Sequence, residues 1–287
     1  MAITTFYRDT MSVQNNKSFS PSAGKPEAFI QAVNPKDIEL RNFPPATVSE
    51  LCLAHSAEYI EGILSGSLAN GFGNHSKAVA SACTYTVGSM VAAAQFAAKT
   101  GEIVCSPTSG FHHAGVRYGG GFCTFNGLAV AALKITAADK DARVAILDCD
   151  YHYGNGTDDI LGKRGNSRIL HFTSGRHFHY GDSGADFFDW LEAAMEAIND
   201  FGATVLIYQA GGDMHIDDPL GGLLCEGELI KRDHLVFSRF KGGIAWNLAG
   251  GYQRDAGGRI DSVIKLHLNT LDEANRAAKG RQGAAAA

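Results

Sequence analysis

The sequence predicts a three-layer α/β/α domain built on a parallel sheet. Three observations carry that prediction. Short apolar runs rich in Val, Ile and Leu alternate with longer helical patterns, as they do where helices cover both faces of a parallel sheet. No internal repeat and no composition shift marks a linker, and a chain of 287 residues that is 45% apolar can bury one large core. Polar clusters follow the apolar runs, at the carboxyl ends of the expected strands, where open α/β sheets place their sites.

In chain order, Ile3–Phe6 reads as the first strand, and Pro26–Val33 as a helix. Ala57–Leu64 is a second helix, its AEYIEGIL an ordinary amphipathic pattern. The longest helical pattern, Ala78–Ala98, leads into a strand over Glu102–Cys105. A helix over Phe125–Thr136 is followed by two apolar strands, Val144–Asp148 and Arg168–Phe172. Helix Ala185–Phe201 precedes strand Thr204–Gln209, helix Glu226–Phe240 precedes strand Gly243–Leu248, and a helix over Ile260–Ala278 closes the domain. Residues 1–280 are read as a single catalytic domain. The ending GRQGAAAA is low-complexity, and 281–287 are set apart as a tail.

Composition excludes several roles. With 34 Gly and only 7 Pro the chain is rich in tight turns rather than disordered. Its net charge is -5 and no Lys/Arg-rich run occurs, which argues against nucleic acid. The opening MAITTFYRDT is not a secretory signal, and no apolar run approaches the ~20 residues of a membrane helix. Six scattered cysteines without a CxxC pair read as reduced thiols, so the expected location is cytoplasmic.

Residues 147–157 read LDCDYHYGNGT. Alternate strand residues share a face, so Asp148 and Asp150 point together, and His152 can join them as the strand enters a turn. After strand Thr204–Gln209 comes AGGDMHIDDPLG, with Asp213, His215, Asp217 and Asp218. Asp150, His152 and Asp213 offer one nitrogen and two carboxylates. Two carboxylates neutralise a divalent ion, and three protein ligands leave a position for water, the pattern of a catalytic zinc site. A lone DxH is more often a cap or turn. Its weight rises here because four strand ends carry clusters suited to one reaction.

The third cluster is PTSGFHHAGVRYGGGFCTFNG, where a glycine-rich loop lets His112 and His113 converge. Beside a metal-bound water one imidazole can act as base and then acid, and the other can hold charge. The fourth is LAGGYQRD. Gly250 and Gly251 let backbone approach closely, and Tyr252 can aim its hydroxyl at a developing oxyanion. Asp217 and Asp218 before Pro219 read as a turn, and His177 and His179 as rim or loop residues.

FHHAG, GGGFCTFNGLAVAA, LDCDYHYGNGT, AGGDMHIDDPLGG and LAGGY occur in that order between about residues 105 and 255. The chain thereby resembles the histone deacetylase / acetylpolyamine amidohydrolase superfamily. The resemblance implies the arginase/deacetylase fold with an eight-stranded parallel sheet. It implies a zinc ion on Asp150, His152 and Asp213, a ligand set that also accepts ferrous iron. It makes His113 the proton shuttle supported by Asn155, and pairs His112 with Asp148. Asp148 would also help bind a monovalent cation, K+ or Na+, near Thr173. Tyr252 would polarise the amide carbonyl, Gly121 and Phe122 would line the substrate tunnel, and Gly251 and the facing aromatic Tyr180 would meet substrate.

The implied function is a zinc-dependent amidohydrolase that removes an acetyl or short acyl group from an acetylpolyamine, an acetyl-lysine or a small N-acyl metabolite. Three departures stand out: Tyr153 where the family usually has a second histidine, Phe111 where a glycine is usual, and no Asp or Glu in GSLANGFGNHS, where many deacetylases carry a rim carboxylate. Two alternatives stay open, a binuclear manganese ureohydrolase of the arginase type and an inert binding protein on the same fold. The ureohydrolase would read DxD where this chain reads Asp213-Met214-His215. Oligomeric state is open, a homodimer across the rim being frequent among small-molecule members of that family.

Overall fold

The computed structural model describes residues 2–14, 18, 20–179 and 181–286, with side chains to residue 283. Seven strands form one sheet among them: β1 (Ile3–Phe6), β2 (Ile38–Arg41), β3 (Ile103–Ser106), β4 (Val144–Asp148), β5 (Ile169–Thr173), β6 (Val205–Gly211) and β7 (Gly243–Ala249). Their order is β2-β1-β3-β7-β6-β4-β5, and every pair is parallel. Nine α-helices accompany them among the described residues: α1 (Lys25–Ala32), α2 (Val48–Leu51), α3 (Ala57–Ser65), α4 (Lys77–Thr100), α5 (Gly127–Ala138), α6 (Asn155–Arg164), α7 (Gly184–Asp200), α8 (Glu226–Arg239) and α9 (Asp261–Ala286).

Strand alternation divides the core in two. Ala145 and Leu147 of β4 pack with Phe29 of α1, Leu191 of α7, Val236 of α8 and Ile264 of α9. Val144 and Ile146 pack on the opposite face with Ile60 of α3, Val91 of α4, Leu128 of α5 and Ile160 of α6. Each of these side chains larger than alanine, taken from water to full burial, contributes roughly 1.5–3 kcal/mol. Burial on both faces is why these strands read as continuous apolar runs.

The six expected strands are all present, two with the expected bounds and four with ends moved by a residue or two. β2 was not anticipated. Its four residues, IELR, are exposed apart from Ile38, because it is an edge strand with little apolar pattern. The sheet has seven strands among the described residues, where the resemblance implied eight. α9 continues through Ala286 into the stretch set apart as a tail. Ala, Arg and Gln there are strong helix formers, so a low-complexity composition can extend the helix. All six cysteines are free thiols, and no helix among the described residues is long and apolar enough to cross a membrane.

Chain order and sheet order differ in a way that matters for the site. β3, β7, β6 and β4 lie side by side, so the loops leaving their carboxyl ends meet although they come from distant parts of the chain.

Candidate metal centre

The last rung of β4 sets Asp148 beside Gln209 of β6 and Thr173 of β5. Beyond it, Asp150 N–H donates to Asp148 Oδ1 at 3.1 Å. Asp213 arrives on a 3-10 turn, Gly212–Met214, directly after β6. Tyr151 N–H donates to Asp213 Oδ1 at 3.2 Å, which ties the two loops together. His152 Nδ1 lies 3.2 Å from Asp150 Oδ1 and 2.9 Å from Asp213 Oδ2. One ligand atom from each of the three residues lies within 4.8 Å of the other two.

This donor set fits a divalent cation. Asp150 and Asp213 are 3% and 0% exposed, so two carboxylates face each other away from water. Burial and the charge of Asp150 raise the Asp213 pKa. Burial opposes charge on His152, but its bonds to both carboxylates outweigh that and push it up to about 11. One dication would neutralise both acids and use the imidazole as a neutral donor. Gly250 leaves the room. Its φ is +53°, and a Cβ there would lie 2.3 to 2.6 Å from the Asp213 carboxyl atoms, so only glycine fits.

His112 and His113 come from the loop after β3. His112 Nδ1 bonds Asp148 Oδ2 at 2.7 Å, and its Nε2 lies 3.7 Å from Asp150 Oδ1. Asp148 also accepts from Gln209 Nε2 at 2.8 Å. His113 Nδ1 bonds Asn155 Oδ1 at 2.7 Å, and the two imidazole centroids are 4.1 Å apart. Burial works against charge on both rings. At His112 the carboxylates of Asp148 and Asp150 overcome it and raise the pKa to about 9. At His113 burial and the neighbouring His112 charge lower it to about 4. The surroundings thus push the two adjacent histidines in opposite directions, His112 toward and His113 away from the charged form.

A residue without a role in the sequence reading supports this loop. His55, 1% exposed, pairs its Nδ1 with Gly115 O at 2.8 Å, and its Nε2 accepts Asn126 N–H at 2.9 Å. The ring is therefore neutral, with the proton on Nδ1, and burial lowers its pKa to about 4. A folded pKa below the ordinary value contributes stability that is complete above pH ~6.5 and is lost as pH falls toward 4, up to about 3 kcal/mol. Urea unfolding at pH 7 and pH 4.5 should show this loss, and His55→Gln should start less stable and fall less steeply. An equally steep fall in the variant would place the loss elsewhere.

Tyr252 follows β7 through Gly250 and Gly251, whose φ values are +53° and +87°. Its N–H donates to Asp218 Oδ2 at 2.7 Å, while Asp218 Oδ1 takes Leu220 N–H at 3.0 Å. Asp218 therefore builds the expected turn and also anchors the tyrosine. Burial and the nearby Asp150 and Asp213 charges push the phenol pKa far upward, so its hydroxyl keeps its proton. The Tyr252 ring centroid is 6.4 Å from that of His152 and 5.6 Å from that of Phe122. A Cβ on Gly121, whose φ is +53°, would lie 2.3 Å from the His113 ring. Phe122, at φ +64°, is the one non-glycine residue in the left-handed region among those described, a conformation costing about 1–3 kcal/mol. Its ring stands between Phe72 and Tyr252.

The remaining candidates are placed as follows. Thr173 Oγ1 accepts Gly154 N–H at 3.0 Å, and Asp148 is its partner in the sheet. His215 is not part of the cluster, and its Nδ1 bonds Gln253 Nε2 at 2.9 Å. The Tyr153 hydroxyl donates to Asp158 Oδ2 at 2.6 Å, under the Arg176 guanidinium. His177 packs on Trp190. Tyr180 lies outside the described residues. Lys25 was missed. It is 0% exposed, and its Nζ donates to Ser109 Oγ at 3.0 Å and to the Gly250 carbonyl, directly behind the centre. Burial lowers its pKa to about 8 although Asp213 and Asp150 oppose the shift. A lysine at a helix start reads as solvated, so nothing local marks it.

The histone deacetylase domain family matches residues 24–180. Acetylpolyamine amidohydrolase 2 of Pseudomonas aeruginosa is 35% identical over 144 residues, 41% of each chain. Type-2 histone deacetylase 2 of Dictyostelium discoideum is 25% identical over 235 residues, 65% of this chain and 14% of that one. The chain thus spans less than half the length of these two curated relatives. The crystal structure of an acetylpolyamine aminohydrolase from Burkholderia pseudomallei superposes with a TM-score of 0.75 at 17% identity, over 96% of this chain and 98% of the other, a likeness of fold.

Proposed function

Because this chain belongs to the histone deacetylase domain family, we propose that it is a zinc-dependent amidohydrolase that removes an acetyl or short acyl group from an amine. The observation that carries this reading is the convergence of Asp150, His152 and Asp213 beside two histidines, one bonded to Asp148 and the other to Asn155. Zinc bound there would lower the pKa of its water from ~15.7 toward neutrality and polarise the substrate carbonyl.

The chain's own groups do the rest. His113 is neutral and oriented by Asn155, so its Nε2 is free to take the proton of the attacking water and return it to the leaving amine. His112, kept charged by Asp148, holds positive potential beside the developing negative charge. Tyr252 keeps its proton and donates a hydrogen bond to the oxyanion. Phe122, its ring 5.6 Å from that of Tyr252, and Gly121, packed against His113, are our proposed lining for an extended acyl-amine. Asp148 with Thr173 is our proposed place for K+ or Na+.

Acetylpolyamine, acetyl-lysine and small N-acyl amines all fit this chemistry. A binuclear ureohydrolase is disfavoured, since the described residues hold one three-ligand cluster and His215 is engaged by Gln253. The test is metal content together with turnover of acetylated polyamines and a fluorogenic acetyl-lysine. The expected result is one zinc or iron per chain and measurable hydrolysis, which Tyr252→Phe lowers by ~10²–10³-fold while metal content is kept. Two manganese ions per chain, or no turnover at full occupancy, would sink the reading.

A further inference from the structure

Arg232 and Asp233 of α8 take no part in the chemistry above, yet they are 2% and 1% exposed. Arg232 Nη1 donates to Gly211 O at 2.7 Å and to Cys149 O at 3.4 Å, and its Nε donates to Asp233 Oδ1 at 2.9 Å. Asp233 is held in turn by the Tyr208 hydroxyl at 2.5 Å and the Thr270 hydroxyl at 2.6 Å. One guanidinium thus joins a carbonyl of β6 to the carbonyl just beyond β4.

The position of those carbonyls is the point. Cys149 immediately precedes Asp150, and Gly211 stands two residues before Asp213. The strand ends are already in close contact, since a Cβ on Gly211 would lie 2.4 Å from Cys149 O and 2.5 Å from Asp150 Cα. A buried ion pair is a poor device for stability alone, because apolar residues of similar volume often serve as well or better. It does supply directed bonds, and here they fall on the two segments that carry carboxylates.

We propose that Arg232, steadied by Asp233, is a positioning residue of the metal centre. It ties the backbone beside Asp150 to the backbone beside Asp213 and thereby sets the separation of the two carboxylates. The proposal rests on the reading of Asp150, His152 and Asp213 as metal ligands. Partners that orient metal ligands typically change affinity by ~10–100-fold.

The test uses the full chain stripped of metal. Zinc affinity is measured by competition with a chromogenic chelator, the cobalt form by its visible spectrum, and the metal-free protein by its melting temperature. Arg232→Met should weaken zinc binding by ~10–100-fold and alter the cobalt spectrum, with the metal-free melting temperature lowered because Asp233 loses its buried partner. Arg232→Lys should recover part of the affinity. Leu235→Ala, on the same helix, should lower the melting temperature and leave zinc affinity unchanged. Unchanged affinity in a folded Arg232→Met protein overturns the proposal, as does an equal loss in Leu235→Ala. If Arg232→Met does not fold, Tyr208→Phe, which frees one side of Asp233, should weaken zinc binding to a smaller degree, and no change there is equally fatal. Failure of the wild type to bind any ion would instead overturn the reading of the ligand trio.

Discussion

Replacing Asp213 with alanine should abolish metal binding and reduce amide hydrolysis to background. On the proposed mechanism a metal held there would supply several kcal/mol of charge stabilisation as well as activate the nucleophile. At ~1.4 kcal/mol per tenfold, its loss should exceed ~10³-fold in rate. The effect on stability should run the other way. Asp213 is fully buried against Asp150, and its pKa is raised by that burial and that charge. Alanine removes the repulsion, so the metal-free variant should melt no lower than the metal-free wild type. Added zinc should then raise the melting temperature of the wild type alone. Melting curves with and without zinc decide this, and a sharp drop in the metal-free variant would mean that Asp213 is a structural acid whose main partners are His152 and Tyr151 N–H.

His113→Ala should lower kcat/KM by ~10²–10⁴-fold, the range for loss of a positioned acid–base group. Metal content should be kept, because His113 is bonded to Asn155 and is not one of the three clustered ligands. Loss of rate with the ion retained separates this change from Asp213→Ala, where both disappear together. His112→Ala makes a useful contrast. That ring sits 3.7 Å from Asp150 and bonds Asp148, so its removal should disturb the ligands as well as the rate. Elemental analysis paired with turnover of one acetylated amine reads all three variants, and a His113→Ala enzyme at wild-type rate would assign the proton transfer to another group.

What could be read from the sequence was what a local pattern carries. β4 and β6 are buried throughout and apolar apart from Asp148 and Gln209 near their carboxyl ends, and that composition and their length announced strands. Asp148, Asp150 and His152 were legible because alternate positions at a strand end share a side. The pairing of Asp213 with them followed from the rule that neighbouring strands empty their loops at one edge. β2 was not legible, since three of its four residues face solvent. α6 was missed because GNGT reads as a turn, and only its packing on the His112 loop, with Thr157 N–H on His112 O at 3.0 Å, shows why the helix begins there. Lys25, His55 and Arg232 act through partners far away in the chain, so no spacing could reveal them.

The order β3-β7-β6-β4 has a kinetic consequence. His113 meets Asn155 across 42 positions, His152 meets Asp213 across 61, and Tyr252 comes from the last strand in the chain. A nascent chain or folding intermediate that lacks β7 has no complete cleft, and contacts of such separation slow folding because long loops must close first. An ion that binds only the finished arrangement deepens the native state, by about 4 kcal/mol when free metal is 1,000 times the dissociation constant. If the cleft closes after the barrier to folding, that energy should appear almost wholly as slower unfolding. The ion would act as a lock on the completed fold, with no influence on how quickly the fold is reached.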